Sequence, residues 1–183
     1  RRRTAVIHNG ADHYPPASAA EAAAFRSRLG LADGVPVVLW VGRADLENDV
    51  QPYKGFPELL ALAPRIRSAV PSAAVVAVGR GDDAARQAMQ SAGITVAFDL
   101  PREEMPAAFR AADVFLSTSR WEGFNLPLVE AQFQGTPVVA YNLCAHPEVV
   151  EDGASGILAR DSAGLLDAVV RVAGDAAFRE RLA

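Results

Sequence analysis

Apolar residues in this chain come in short unbroken runs, separated by longer polar or amphipathic stretches. The runs at 35–41, 73–78, 94–98, 113–117, 137–141 and 156–159 have the length of strands. A continuous run, as opposed to an alternating one, suits a strand covered on both faces of a parallel sheet. Helical stretches are expected between the runs, at 83–92, 103–111, 125–134, 147–151 and 162–172. Another begins at Pro57, which fits a first turn, while Pro64 inside it predicts a kink or a break. Residues 18–29 carry Ser18 and Glu21 at capping-box spacing and end at Gly30. Asp175 can cap a last helix. Strands alternating with helices give βαβ units, hence an α/β domain with a doubly wound parallel sheet of about six strands. The connections are short, so 17–183 reads as one domain. Residues 1–16 read as an entry segment, a loop after Ala11 punctuated by Tyr14-Pro15-Pro16.

Composition narrows the classes. At 183 residues, half of them apolar, the chain is one domain with a core of its own. A single cysteine excludes a disulfide framework and a cysteine-only zinc site, which points to a reducing, cytoplasmic setting. A net charge of -4 provides no general footprint for nucleic acid. No apolar run approaches the ~18 residues of a membrane span. Arg1-Arg2-Arg3 leads only into Ala5-Val6-Ile7, too little for a signal peptide, and three charges are too few to argue membrane or nucleic-acid contact. A start at Arg, not Met, suggests a piece of a longer, bacterial-looking protein. Of the 18 basic residues only Lys54 is lysine, in a chain otherwise biased to arginine and alanine as GC-rich genomes produce.

Open α/β sheets bind ligands beyond the carboxyl ends of their strands. The residues just past each run are therefore the place to look. The first run leads into Gly42-Arg43 and then Tyr53-Lys54-Gly55, and the second into Gly79-Arg80-Gly81-Asp82, read as a glycine turn. Asp99-Leu100-Pro101 comes after the third, 118–124 after the fourth and 142–146 after the fifth. Arginine clamps phosphate bidentately and lysine acts as a point charge, so this edge suits a polyphosphate. The segment from Glu122 through Gly123, Phe124, Asn125 and Leu126 to Glu130 is the sharpest. Asn125 fits an N-cap, with the amides beyond it facing an anion, and Glu130 leans back toward the helix start. Phe124 is either a core plug or a wall of a sugar pocket. His8, His13 and His146 read as loop polar residues with no carboxylate or thiol at ligand spacing, so no metal site is expected.

Those same residues resemble a known family. Glu122 and Glu130, with seven residues between them and Gly-Phe after the first, are similar to the E-x7-E motif of retaining GT-B glycosyltransferases, family 4 in particular. Ile7-His8-Asn9-Gly10-Ala11-Asp12, Val41-Gly42-Arg43 with Lys54-Gly55, Val78-Gly79-Arg80-Gly81, and Pro147-Glu148-Val149-Val150-Glu151-Asp152-Gly153 resemble other family segments in order. The likeness spans essentially the whole chain and implies the C-terminal, Rossmann-like half of a GT-B fold. It further implies that a nucleoside diphosphate sugar is the substrate, with no metal or other cofactor. Arg43 and Lys54 match the pair that neutralises the donor diphosphate. Glu122 matches the glutamate on the sugar hydroxyls, and Glu130 the one on the ribose. Gly123, Phe124, Asn125 and Leu126 match the turn along sugar and phosphates, with Gly42 beside it. Phe98 to Leu100 matches where the base is met. The missing N-terminal acceptor domain is the implied partner, with peripheral membrane association open to the full enzyme.

Three departures stand out. Ten residues separate Arg43 from Lys54, more than is usual, and the acidic stretch 45–50 among them suits a flap or an acceptor contact. Arg80 stands where an acid is usual and offers another phosphate contact. Leu143-Cys144-Ala145-His146 stands where glycines are common. A 2-epimerase on the same scaffold would lack the Gly-Phe run. A non-catalytic nucleotide-sugar module need not keep Arg43, Lys54, Glu122 and Glu130 together. A glycosidase also uses two carboxylates, roughly 5–9.5 Å apart, but has no need of the two cations.

Overall fold

The computed structural model describes residues 9–44, 46 and 52–183. Arg1 to Arg3, Ile7, His8 and all of the acidic stretch 45–50 except Leu46 lie outside the described residues.

Six parallel strands form one sheet in the order β3-β2-β1-β4-β5-β6. They are β1 (Val37–Ala44), β2 (Ala74–Gly81), β3 (Ile94–Phe98), β4 (Val114–Leu116), β5 (Val138–Tyr141) and β6 (Gly156–Ala159). Helices cover both faces. Phe56, Leu59 and Ile66 of α2 (Phe56–Ala69), Met89 of α3 (Asp83–Ser91), Leu165 and Val169 of α7 (Ser162–Gly174), and Phe178 of α8 (Ala176–Glu180) pack on one face. Phe25 of α1 (Ala19–Arg28), Phe109 of α4 (Met105–Arg110) and Leu128 of α5 (Leu126–Phe133) pack on the other. Successive β1 residues serve opposite cores, Val38 and Trp40 one, Val37 and Leu39 the other. This is why the strand is apolar at every position of that run.

Local signals are obeyed at the helix ends. Ser18 and Glu21 form both bonds of the capping box, and Asp175 accepts from Phe178 N. Pro64 does not break α2, which runs on to Ala69. Pro64 lies on the exposed side of the helix, so the Leu60 carbonyl it leaves without a donor can turn to water. The stretch expected as one helix at 103–111 begins instead as a 3-10 turn (Arg102–Glu104), and α4 comes directly after it. The helix expected at 147–151 is a single turn, α6 (His146–Val149).

The larger correction concerns the glycines. Neither Gly42-Arg43 nor Gly79-Arg80-Gly81 lies beyond its strand. All are strand residues, paired in parallel register as Gly42↔Gly79, Arg43↔Arg80 and Ala44↔Gly81. Their lack of a side chain answers to close packing within the sheet. A Cβ on Gly79 would press into the Gly42 carbonyl, and one on Gly42 into the Trp40 ring. Gly79 also has φ +137°, a backbone closed to residues with side chains.

Candidate functional site

The strand order reverses between β1 and β4, so the crevice beyond their carboxyl ends is where this topology collects a ligand. Beyond β4 the chain turns through Ser117, Thr118 and Ser119, all buried. The Thr118 hydroxyl accepts from Trp40 Nε1 at 3.0 Å and donates to the Lys54 carbonyl at 2.9 Å. Arg120 N–H donates to the Tyr53 carbonyl at 2.7 Å. Gly55, in the left-handed region at φ +69°, lies so close to the Thr118 carbonyl that a Cβ there would collide with it. Together these contacts fix Lys54, at the end of a 3-10 turn (Pro52–Lys54), against the β4–α5 loop whatever the length of chain before it.

Lys54 Nζ donates to Glu122 Oε1 at 2.6 Å, and the two side chains are 22% and 10% exposed. The family resemblance implies two different parts of one ligand for these residues. The structure joins them in a charge-assisted bond of the stronger kind. Tyr53 and Trp121 flank the pair, their rings edge to face at 5.7 Å.

Glu130, in the second turn of α5, is paired separately. Its Oε1 meets His13 Nε2 at 2.8 Å across 117 positions of sequence. Burial pushes the Glu130 carboxyl above its ordinary range, against the hydrogen bond from His13 and the nearby Arg102 charge, which pull it down. One turn along, Gln134 holds the same entry segment, accepting from Ala17 N at 2.8 Å and donating to the Pro15 carbonyl at 3.1 Å. Beside this strap lies a cavity of about 320 Å³ lined by His13, Tyr14, Pro15, Arg102, Glu103 and Pro106. The Arg102 guanidinium sits 5.7 Å from the centre of the Tyr14 ring.

Asn125 occupies the N-cap position of α5 but makes no cap bond with its side chain. It is left-handed at φ +64°, and its Nδ2 donates to Ser117 Oγ at 3.1 Å and to His146 Nε2 at 2.9 Å. Asparagine tolerates the left-handed region, and the buried amide finds its partners beyond β4 and on α6 instead. His146 is fully buried, and its Nδ1 bonds the Tyr141 carbonyl at 2.8 Å. A carbonyl only accepts, so Nδ1 carries the hydrogen and Nε2 is the acceptor of the amide. Burial is the main reason the His146 pKa is lowered from its ordinary 6.5.

That direction gives a test. Well above pH 6.5 the ring is neutral in both folded and unfolded chains. As pH falls below that, the unfolded chain takes up a proton the folded one refuses, so stability drops until the lowered folded value is reached. His146→Leu removes this slope. In urea unfolding the stability gap between wild type and variant should shrink from about pH 7.5 to about pH 5. A gap that stays constant would contradict a neutral, buried His146.

The remaining expected residues lie along the same edge. Arg43 and Arg80 are exposed neighbours in register on β1 and β2. Arg80 Nε comes to 3.9 Å from Asp99 Oδ1, but both are open to solvent and such a contact is worth little. Phe98 closes β3 under the Arg86 guanidinium, and Leu100 packs against the α1/α4/α5 core. Phe124 is half-buried. Gly123 and Leu126 are exposed. Asp99, Asn125 and Cys144 are the described non-glycine residues with positive φ, and they lie beyond β3, β4 and β5 respectively. Backbone strain of this kind gathers where a ligand is held.

A family model described as "Glycosyl transferases group 1" matches residues 35–175. The chain belongs to this glycosyl transferase family. It is 34% identical to the D-inositol 3-phosphate glycosyltransferase of Nocardia farcinica, covering 100% of this chain and 42% of that protein. To the phosphatidyl-myo-inositol mannosyltransferase of Mycobacterium leprae it is 36% identical, covering 96% and 46%. The chain thus spans less than half the length of these relatives. Among solved structures, Anabaena HepE in complex with UDP and glucose superposes with TM-score 0.76 over 96% of this chain and 48% of that one, at 24% identity. The C-terminal domain of the group 1 protein LpcC from Francisella tularensis gives 0.69 at 21% identity, over 95% and 92%. The fold is that of GT-B glycosyltransferases, and the Rossmann-like doubly wound sheet is as the sequence led us to expect.

Within this group 1 domain, sequence reasoning passed over three contributors. His13 and His146 were read as loop residues because their partners are remote in sequence. The third is a knot of Glu58, Arg120 and Tyr141. The Tyr141 hydroxyl donates to Glu58, and Arg120 reaches Glu58 at 3.0 Å and Tyr141 at 3.2 Å. Burial, with Glu58 alongside, pushes the Tyr141 pKa up to about 12. Among the described residues no helix is long and apolar enough to cross a membrane, and no three His, Cys, Asp or Glu gather as a metal site would need.

Proposed function

We propose that this chain is the donor-binding half of a retaining glycosyltransferase, which moves a sugar from a nucleoside diphosphate sugar to an acceptor. The Lys54–Glu122 pair beyond β4, at the reversal of strand order, carries the reading. It is supported by the family match and by UDP and glucose in the similarly folded HepE.

In this reading the pair brings two donor contacts together. An arriving diphosphate takes Lys54 as its counter-ion, which releases Glu122 Oε1 to accept from sugar hydroxyls. Arg43 and Lys54 then stabilise the charge that grows on the leaving diphosphate, the largest usual source of rate enhancement. These side-chain cations do the work for which other transferases use a metal, so binding should survive a chelator. The ribose hydroxyls fall to Glu130. The acceptor site belongs mainly to the other half of the longer protein, and the 183 residues alone should bind donor without turning it over.

A thermal-shift panel of UDP, GDP and ADP, each with and without its sugar, tests this directly. A nucleotide at 100 times its dissociation constant stabilises by about 2.7 kcal/mol. One base should stand out, with and without EDTA. A flat panel on folded protein would sink the proposal.

A further inference from the structure

His13 lies outside the segment that carries the two glutamates, in a strap whose path across α5 the sequence does not foretell. Two residues of α5 and its C-terminal end, one turn apart, hold that strap. Gln134 bonds its backbone at Pro15 and Ala17, whereas Glu130 is bonded by a side chain, His13. Gln134 therefore fastens the chain, and its geometry asks nothing of residue 13. The His13 contact is of another kind. It takes one oxygen of a carboxylate that is 8% exposed overall, fixing the direction in which the other can face. Oε2 takes no hydrogen bond from the described residues. With Oε1 clamped, Oε2 is held in one direction and its lone pairs can accept from a ligand hydroxyl without a further loss of side-chain rotation.

We propose that His13 is a positioning residue for Glu130, orienting the carboxylate so that Oε2 meets the ribose hydroxyls of the nucleotide. This rests on the donor-binding reading above. A glutamine at position 13 offers an amide N–H at similar reach, and leucine offers none. Burial also pushes the Glu130 carboxyl toward its neutral form, and the contact with His13 opposes this. The clamp thus favours the charged form of the acceptor as well as aiming it.

The test is the ratio of dissociation constants for a 2′,3′-dideoxynucleoside diphosphate and its ribose parent, measured by calorimetry with the uridine, guanosine and adenosine pairs. Wild type should prefer the ribose form about tenfold or more, the value of a hydrogen bond to a charged group. His13→Leu and His13→Ala should bring the ratio to within about twofold of one, and His13→Gln should restore most of it. Gln134→Ala loosens the strap but keeps the His13 imidazole, and should lower the ratio less than His13→Leu does. A ratio unchanged in His13→Leu, or lowered as far by Gln134→Ala, would overturn the proposal. If Glu130→Gln keeps the full ratio, the assignment of ribose to Glu130 is wrong, and His13 has nothing to position. If no nucleotide binds wild type, the donor-binding reading falls and takes this with it.

Discussion

Lys54→Ala in the full-length protein is expected to lower sugar transfer by about 100- to 1000-fold, the cost of removing one preorganised group from a charge that develops in the transition state. Arginine at this position should not restore the rate. The site holds a compact ammonium 2.6 Å from Glu122 with 22% of the lysine side chain exposed, and a planar guanidinium is larger and differently aimed. Loss of folding is the competing explanation, because Glu122 is left without its cation. Exposed ion pairs contribute about 0–1 kcal/mol and fully buried ones lose about 3–5 kcal/mol when broken, so this half-shielded pair should fall between, near ~1–3 kcal/mol. Transfer assayed well below the melting temperature of Lys54→Ala separates the two effects: the folded variant should still transfer about 100- to 1000-fold more slowly. If the rate returns wherever the variant is folded, Lys54 supports the fold and not the reaction.

How much of this was readable beforehand depends on the range of the interaction. Capping at Ser18 and Asp175 depends on residues three apart, and both ends form as their spacing dictates. The strands were recognisable because burial on two faces leaves no polar position. The glycines misled for a related reason. In sequence a glycine pair after an apolar run signals a turn, and only the register of β1 on β2 shows that Gly79 faces the Gly42 carbonyl across the sheet. The two glutamates were legible as a spaced motif, but not their separate partners. The sequence contains no sign that Glu122 pairs with Lys54 and Glu130 with His13, since the latter bond spans 117 positions. Asn125 shows the limit at its sharpest. Its type predicts a cap, its position is the cap, and yet its side chain is drawn to Ser117 and His146.

Gly55→Ala should be among the most damaging single changes in the domain, although it adds one methyl group at a buried loop junction. Two penalties combine there. At φ +69° the left-handed backbone costs an alanine about 1–2 kcal/mol. The new Cβ would also stand closer than 3.0 Å to the Thr118 carbonyl, a backbone atom that cannot swing aside. Overpacking of this kind costs about 1–3 kcal/mol more. A total near ~3–4 kcal/mol lowers the melting temperature of a domain this size by roughly 10 °C. Gly34→Ala isolates the second penalty. Gly34 has φ +76° and nothing within 4 Å of its would-be Cβ, so that variant should lose only the first. The extra loss at Gly55 measures how tightly the Lys54 turn is pressed onto the β4–α5 loop. It should be matched by weakened nucleotide binding, because any shift that relieves the collision moves Lys54 away from Glu122. Equal melting temperatures for the two variants would mean that the turn is not held against Thr118, and that some other contact fixes Lys54.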